Sequence, residues 1–215
     1  MLFNSQTTCD VTIDVSHHQG EIDWAQVKAA GLQCVMIKAT QGLTEDARWQ
    51  INRDGCKQQR LLVIPYAFVS SQTDPVEQAR FFVQTAGLAA GMPAALDWEG
   101  GEAPGANIVE RMGLAVVEVI RRDPLGYWGL FPPAAPTALM KGWPRWIPRY
   151  GANDGNPDMN HRPTEPWLFW QYTSNQEVDG ISGKVDASLF AGSAEELKAW
   201  CQTGVLPASL TPVVA

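Results

Sequence analysis

Cysteine is scarce and scattered: the four, at positions 9, 34, 56 and 201, form no C-x-x-C pair. That argues against a structural zinc site or a redox dithiol and favours cysteines left as thiols. A Cys9–Cys201 disulfide is the alternative if the two ends of the chain meet. Histidine is rarer, with three, and His17 and His18 have neither an H-E-x-x-H partner nor a nearby cysteine, so no metal and no cofactor is expected. Positive charge is in deficit, with 16 Lys and Arg against 23 Asp and Glu and a net charge of −7. This is the wrong sign for phosphate backbones or anionic lipid, and no nucleic-acid partner is expected. No apolar run approaches the roughly 20 residues that span a bilayer. The opening MLFNSQTTCD lacks the basic-then-apolar build of a secretory leader. The expectation is a chain made in the cytoplasm, monomeric and without membrane insertion. There is also no G-x-S-x-G elbow, phosphate-binding loop or dinucleotide glycine fingerprint, which removes support for serine hydrolysis, phosphoryl transfer and hydride transfer.

What is present is an ordinary globular composition, 45% hydrophobic and 18% charged over 215 residues, suited to a single domain. No repeat or Ser/Gly linker divides it, so residues 1–215 are read as one domain, with a core over about 10–202 and a short tail over 203–215. Short apolar runs alternate with helix signals in the first half: VTIDVS from 11, QCVMIKAT from 33, LLVIPYAF from 61 and PAALDWE from 93. This βα alternation implies parallel strands. Asp23 is placed to cap a helix that Gly31 ends, and Asp74, Pro75 and Glu77 supply the cap, first-turn proline and capping box of another ending at Gly87. Asn107 and Glu110 are expected to open a fourth helix, in which Met112, Val116 and Ile120 recur at helical spacing. Beyond residue 124, LGYWGLF, PRWIPRY, PWLFWQYT and KVDASLF read as strands, and the stretches between them are too short or too rich in proline for full helices. SAEELKAW, capped by Ser193, is the exception. Eight strand segments with most helices early predict an α/β barrel that has lost its later helices; an open doubly wound sheet is the alternative.

Alternation along strands separates the acidic residues from their apolar neighbours. Val11, Ile13 and Val15 face one way and Asp14 the other; Leu96 and Trp98 oppose Asp97 and Glu99; Asp186 opposes Val185 and Ala187. In a parallel barrel the apolar face packs on helices, and polar residues at strand C-terminal ends form the mouth of the site. Asp97 and Glu99 follow the buried-looking run MPAAL, where charge is costly unless used or paired. Crowded carboxylates repel, so at least one is expected to keep its proton above the usual range. An acid beside an ionised partner is the arrangement glycosidic cleavage needs.

At these residues the sequence resembles the glycoside hydrolase family 25 lysozymes. The matching pieces run in order: DVSHHQG from Asp14, IKATQG from Ile37, PYAF from Pro65, ALDWEG from Ala95, WQYTS from Trp170 and VDASLF from Val185. It departs from the family pattern at Ala187 and Ser188, where an asparagine is common, and at Pro148, where the sixth strand usually has a small residue. The resemblance implies a modified TIM-like barrel of five βα units followed by three strands. It also implies cleavage of β-1,4 bonds between N-acetylmuramic acid and N-acetylglucosamine in peptidoglycan glycan strands. By position Glu99 would be the general acid and Asp97 would support the substrate's acetamido group as nucleophile, an ordinary water attack being the competing route. Asp14 and Asp186 would orient and tune the pair, and Tyr66 would hydrogen-bond near the reacting sugar. A sugar-binding barrel without turnover and a chitinase-like hydrolase are the alternative functions. Without a leader, release as a phage endolysin or by a dedicated secretion machine is expected.

Nine tryptophans are many for this length, and aromatic faces suit sugar rings. Trp128, Trp170 and Tyr172 are the candidates for groove walls. Trp98 points to the helix side by parity, and Trp24, Trp49 and Trp200 fall in helix patterns. Lys38 shares a face with Cys34 and Met36 and is a candidate to pair with a site carboxylate.

Overall fold

A computed structural model describes residues 11–100, 103–130 and 132–210. Cys9, and with it the suggested Cys9–Cys201 pairing, lies outside the described residues. All eight expected strand segments form strands: β1 (Val11–Val15), β2 (Cys34–Gln41), β4 (Leu62–Phe68), β5 (Ala95–Asp97), β6 (Leu125–Tyr127), β7 (Arg145–Pro148), β8 (Phe169–Gln176) and β9 (Val185–Phe190). A two-residue strand not anticipated, β3 (Thr44–Glu45), folds back antiparallel on β2. Parallel pairing runs from β1 through β2, β4, β5, β6 and β7 to β8. β9 then fits antiparallel between β8 and β1 and closes the barrel. The reversal follows from chain length, because parallel neighbours need a crossover of a dozen or more residues and only residues 177–184 join β8 to β9.

The helices are α1 (Trp24–Ala29), α2 (Trp49–Gln58), α3 (Pro75–Ala86), α4 (Ala106–Ile120) and α5 (Ala194–Thr203). Asp23 accepts from the Ala25 and Gln26 N–H groups at 3.0 and 3.1 Å. Asp74 does the same for Val76 and Glu77 at 2.8 and 3.1 Å, satisfying donors that a helix start otherwise leaves unpaired. Gly87 ends α3 in the left-handed conformation at φ 65°, and Ser193 and Glu196 form a reciprocal capping box on α5. α4 starts earlier than expected, behind Gly105, so Asn107 lies within its first turn instead of capping it. Between β6 and β7 the described residues of a proline-rich connection hold only the single 3-10 turn Met140–Gly142. Full α-helices therefore serve the first four crossovers, and the fifth is reduced to that turn.

Two packed layers result. The outward faces, with Ile13, Val15, Val35, Ile37, Leu96 and Trp98, meet the helices in one core. The inward faces form a second, with Met36, Ile64, Tyr66, Tyr127, Trp146, Phe169 and Phe190. α5 presses Leu197 and Trp200 into the inner layer, Trp200 lying edge-on to Phe169 with ring centroids 5.7 Å apart. Phe169 opens β8 and Phe190 ends the antiparallel β9, so α5 plugs the N-terminal end of the barrel. The C-terminal end is left for chemistry.

Candidate active site

At the C-terminal mouth a cavity of about 210 Å³ is lined by Asp14, Asp97, Glu99 and Asp186, together with Lys38, Tyr66, Tyr127, Trp146 and Gln171. Strand register brings them together. Asp14 stands directly opposite Asp186 across the β1–β9 pair, and Asp97 is flanked by Phe68 on β4 and Tyr127 on β6. Glu99 follows β5 two residues on, on the same face, and reaches solvent, whereas Asp97 beneath it is buried. One Asp97 oxygen, Oδ1, is buried with no hydrogen-bond partner among the described residues, which leaves it available to a proton or a ligand N–H.

Gln171 organises the floor of this group. Its Nε2 donates to Asp14 Oδ2 at 2.9 Å and to Asp186 Oδ2 at 3.3 Å. Its Oε1 accepts from the hydroxyls of Tyr127 at 2.9 Å and Tyr150 at 2.6 Å. Trp146 packs beside them, its Nε1 donating to Ser188 Oγ at 3.0 Å and its ring 4.4 Å from that of Tyr127. Ser188 thus satisfies a buried indole.

Electrostatics follow from burial and crowding. Burial, then the Asp186 charge, raises Asp14 well above the carboxylate range, against the lowering effect of the Gln171 hydrogen bond. Burial, then Glu99 and Asp14, does the same to Asp97, with Lys38 opposing. Asp186 is raised to about 6, by burial and then by Glu99. Glu99 is raised by desolvation even though one side meets water, while hydrogen bonding from Tyr127 and the Lys38 charge pull it back. Lys38 itself is lowered by burial, with Asp97 the largest opposing influence. The cavity therefore holds carboxyl groups that stay protonated toward neutral pH beside others that ionise first.

The sequence-derived candidates divide in two. Asp14, Asp97, Glu99, Asp186, Tyr66 and Lys38 all line the cavity. The Lys38 ammonium donates to Gln41 Oε1 at 2.7 Å and sits 4.7 Å from the Phe68 ring centroid, so its influence on the carboxylates acts across space. Trp170, Tyr172 and Trp128 are placed elsewhere, in the outer core. Trp170 donates to the Arg149 carbonyl at 2.7 Å and Tyr172 to Gln176 at 3.2 Å. Trp128 packs over Gly126, where a Cβ would collide with its ring, and under the Arg145 guanidinium at 3.6 Å. The reason is strand parity: with Gln171 inside, Trp170 and Tyr172 must face the other way. Sequence reading missed Gln171, Tyr127, Trp146 and Tyr150; the same alternation, anchored on Gln171 in place of its aromatic neighbours, would have found the first. His18 also lines the cavity, whereas His17 is turned to Asp46 at 2.7 Å.

A closed α/β barrel with four carboxyl groups of separated proton affinity at its C-terminal mouth defines a class: a hydrolase of glycosidic bonds. Residues 13–181 match the model of glycosyl hydrolases family 25, and the chain belongs to that family. It is 33% identical over 204 residues to the uncharacterized protein YegX of Escherichia coli K12, covering 87% of this chain and 72% of that one. It is 28% identical over 213 residues to lysozyme M1 of Streptomyces globisporus, covering 87% and 69%. The crystal structure of the bacterial lysozyme from Streptomyces coelicolor superposes with a TM-score of 0.74 at 25% identity, over 92% of this chain and 99% of that one.

Proposed function

We propose that the chain is an N-acetylmuramidase, cutting β-1,4 bonds between N-acetylmuramic acid and N-acetylglucosamine in peptidoglycan. The observation that carries this is the convergence of Asp14, Asp97, Glu99 and Asp186, from β1, β5 and β9, on one cavity; the lysozymes among its relatives support the substrate. Glu99, accessible at the mouth yet holding its proton above the normal range, is the general acid that protonates the departing glycosidic oxygen. Asp97, buried below with one oxygen unengaged, supports the substrate's acetamido group as it attacks. Asp14 and Asp186, opposite each other on β1 and β9, tune both groups from the same cavity. The enzyme acts on the wall after release from the cytoplasm, as a phage endolysin or through a dedicated secretion machine, so its accumulation in the producing cytoplasm should be harmless.

Purified walls digested with the protein, followed by mass spectrometry of the muropeptides, test the reading. New muramic-acid reducing ends are expected, and Glu99→Gln should lower their rate by about 10²-fold or more while keeping the fold. Activity confined to chitin, binding without new ends, or a Glu99→Gln enzyme near the parent rate would each overturn it.

A further inference from the structure

Asp14 and Asp186 face each other across an antiparallel pair, a position in which like charges repel. No lysine or arginine lies within salt-bridge distance of either among the described residues. Gln171 fills that role, with Nε2 reaching both carboxylates at 2.9 and 3.3 Å. A primary amide has two donors on nitrogen and two acceptor sites on oxygen, and here all four are used. The hydroxyls of Tyr127 and Tyr150, 2.9 and 2.6 Å from Oε1, also fix which way the amide points. Turned over, it would aim its carbonyl at two carboxylates.

We infer that Gln171 is a positioning residue of this site: its amide, locked in one sense by Tyr127 and Tyr150, clamps Asp14 to Asp186 and keeps that pair ionisable beside Asp97 and Glu99. The role in turnover rests on the glycosidase reading above; the clamp itself does not. The other ionisable groups facing the pair are Asp97 and Glu99 at the end of β5, Lys38 on β2, Tyr66 on β4 and His18 after β1.

The donors favour the charged form of the pair, so removing them makes it hold protons to higher pH. For Gln171→Leu the acid limb of kcat/KM on cell walls is expected to move up by about one pH unit, and the alkaline limb to stay. The value of kcat should fall about 10- to 100-fold with KM changed far less, as for a group acting on the transition state. Gln171→Glu matches the parent in shape but adds a third carboxyl and loses the donors, so it is expected to be slower than Gln171→Leu near pH 7. A purely space-filling role reverses that order. Tyr150→Phe, at a half-open position, removes one anchor of the amide and should shift the acid limb the same way by less. If the position 171 variants fail to fold, Tyr150→Phe decides. An unmoved acid limb, or a Gln171→Glu enzyme close to the parent, overturns the clamp. Carbon-13 titration of the Asp14 carboxyl, with its midpoint expected to rise in Tyr150→Phe, reads the clamp without turnover. A wild type that releases no reducing ends would therefore sink the muramidase reading and leave this inference to the titration.

Discussion

Replacing Tyr127 with phenylalanine separates the two duties of a single hydroxyl. The Tyr127 proton is directed at Gln171 Oε1, 2.9 Å away, and hydrogen bonding from the same group lowers the pKa of Glu99. One O–H has one proton, so the two acceptors compete for it. Gln171 has a second donor in Tyr150 at 2.6 Å, which leaves the Tyr127 proton free to turn to Glu99 whenever that group is ionised. A hydrogen bond to a charged group is worth about 1.5–3 kcal/mol when buried, or about one to two pKa units. Glu99 meets solvent, and screening brings the expectation to about half of that. Removing the donor raises the Glu99 pKa, and with protonated Glu99 as the proposed general acid, activity should persist to higher pH. The alkaline limb of kcat/KM for release of reducing ends from walls should thus move up by about half to one unit. The loss in stability should stay near 1 kcal/mol, since one buried hydrogen bond goes and Gln171 keeps another. An alkaline limb that stays put, or moves down, refutes the argument.

Three further outcomes follow from other parts of the fold. Asp186 is raised from 3.8 to about 6 in the folded chain, so the folded state binds more protons than the unfolded between those values and stability falls as pH rises through that window. The full shift corresponds to at most about 3 kcal/mol, about half after solvent screening; Asp186→Asn should therefore raise the melting temperature at pH 7 and flatten its decline between pH 4 and 7. Gly126→Ala drives a Cβ into the buried Trp128 ring and is expected to cost about 1–3 kcal/mol or more in urea unfolding, and an unchanged midpoint would contradict the packing described. Trp170→Phe loses the bond to the Arg149 carbonyl and packing in the outer core, so it should lower stability and leave KM for walls unchanged; a KM raised severalfold would return Trp170 to the glycan groove.

Local chemistry settled much of this protein before any folding was considered. The eight strands, the caps at Asp23, Asp74 and Ser193, and the helix end at Gly87 follow from side-chain alternation and helix-end hydrogen bonding, which depend on neighbours a few residues away. For the same reason the faces of Asp14, Asp97 and Glu99 are legible in the sequence, since their neighbours Ile13, Leu96 and Trp98 are plainly apolar. The stretch WQYT at β8 resisted this logic. Both faces of that strand are buried in the barrel, Phe169 and Gln171 inward and Trp170 and Tyr172 outward, so hydrophobicity carries no information about which is which. Only barrel closure decides it. Inserting β9 antiparallel between β8 and β1 sets Asp14 against Asp186 and brings Gln171, 157 residues along the chain from Asp14, within a hydrogen bond of both. Alternation is a property of one strand, whereas register between strands and the choice of inner face belong to the closed sheet as a whole.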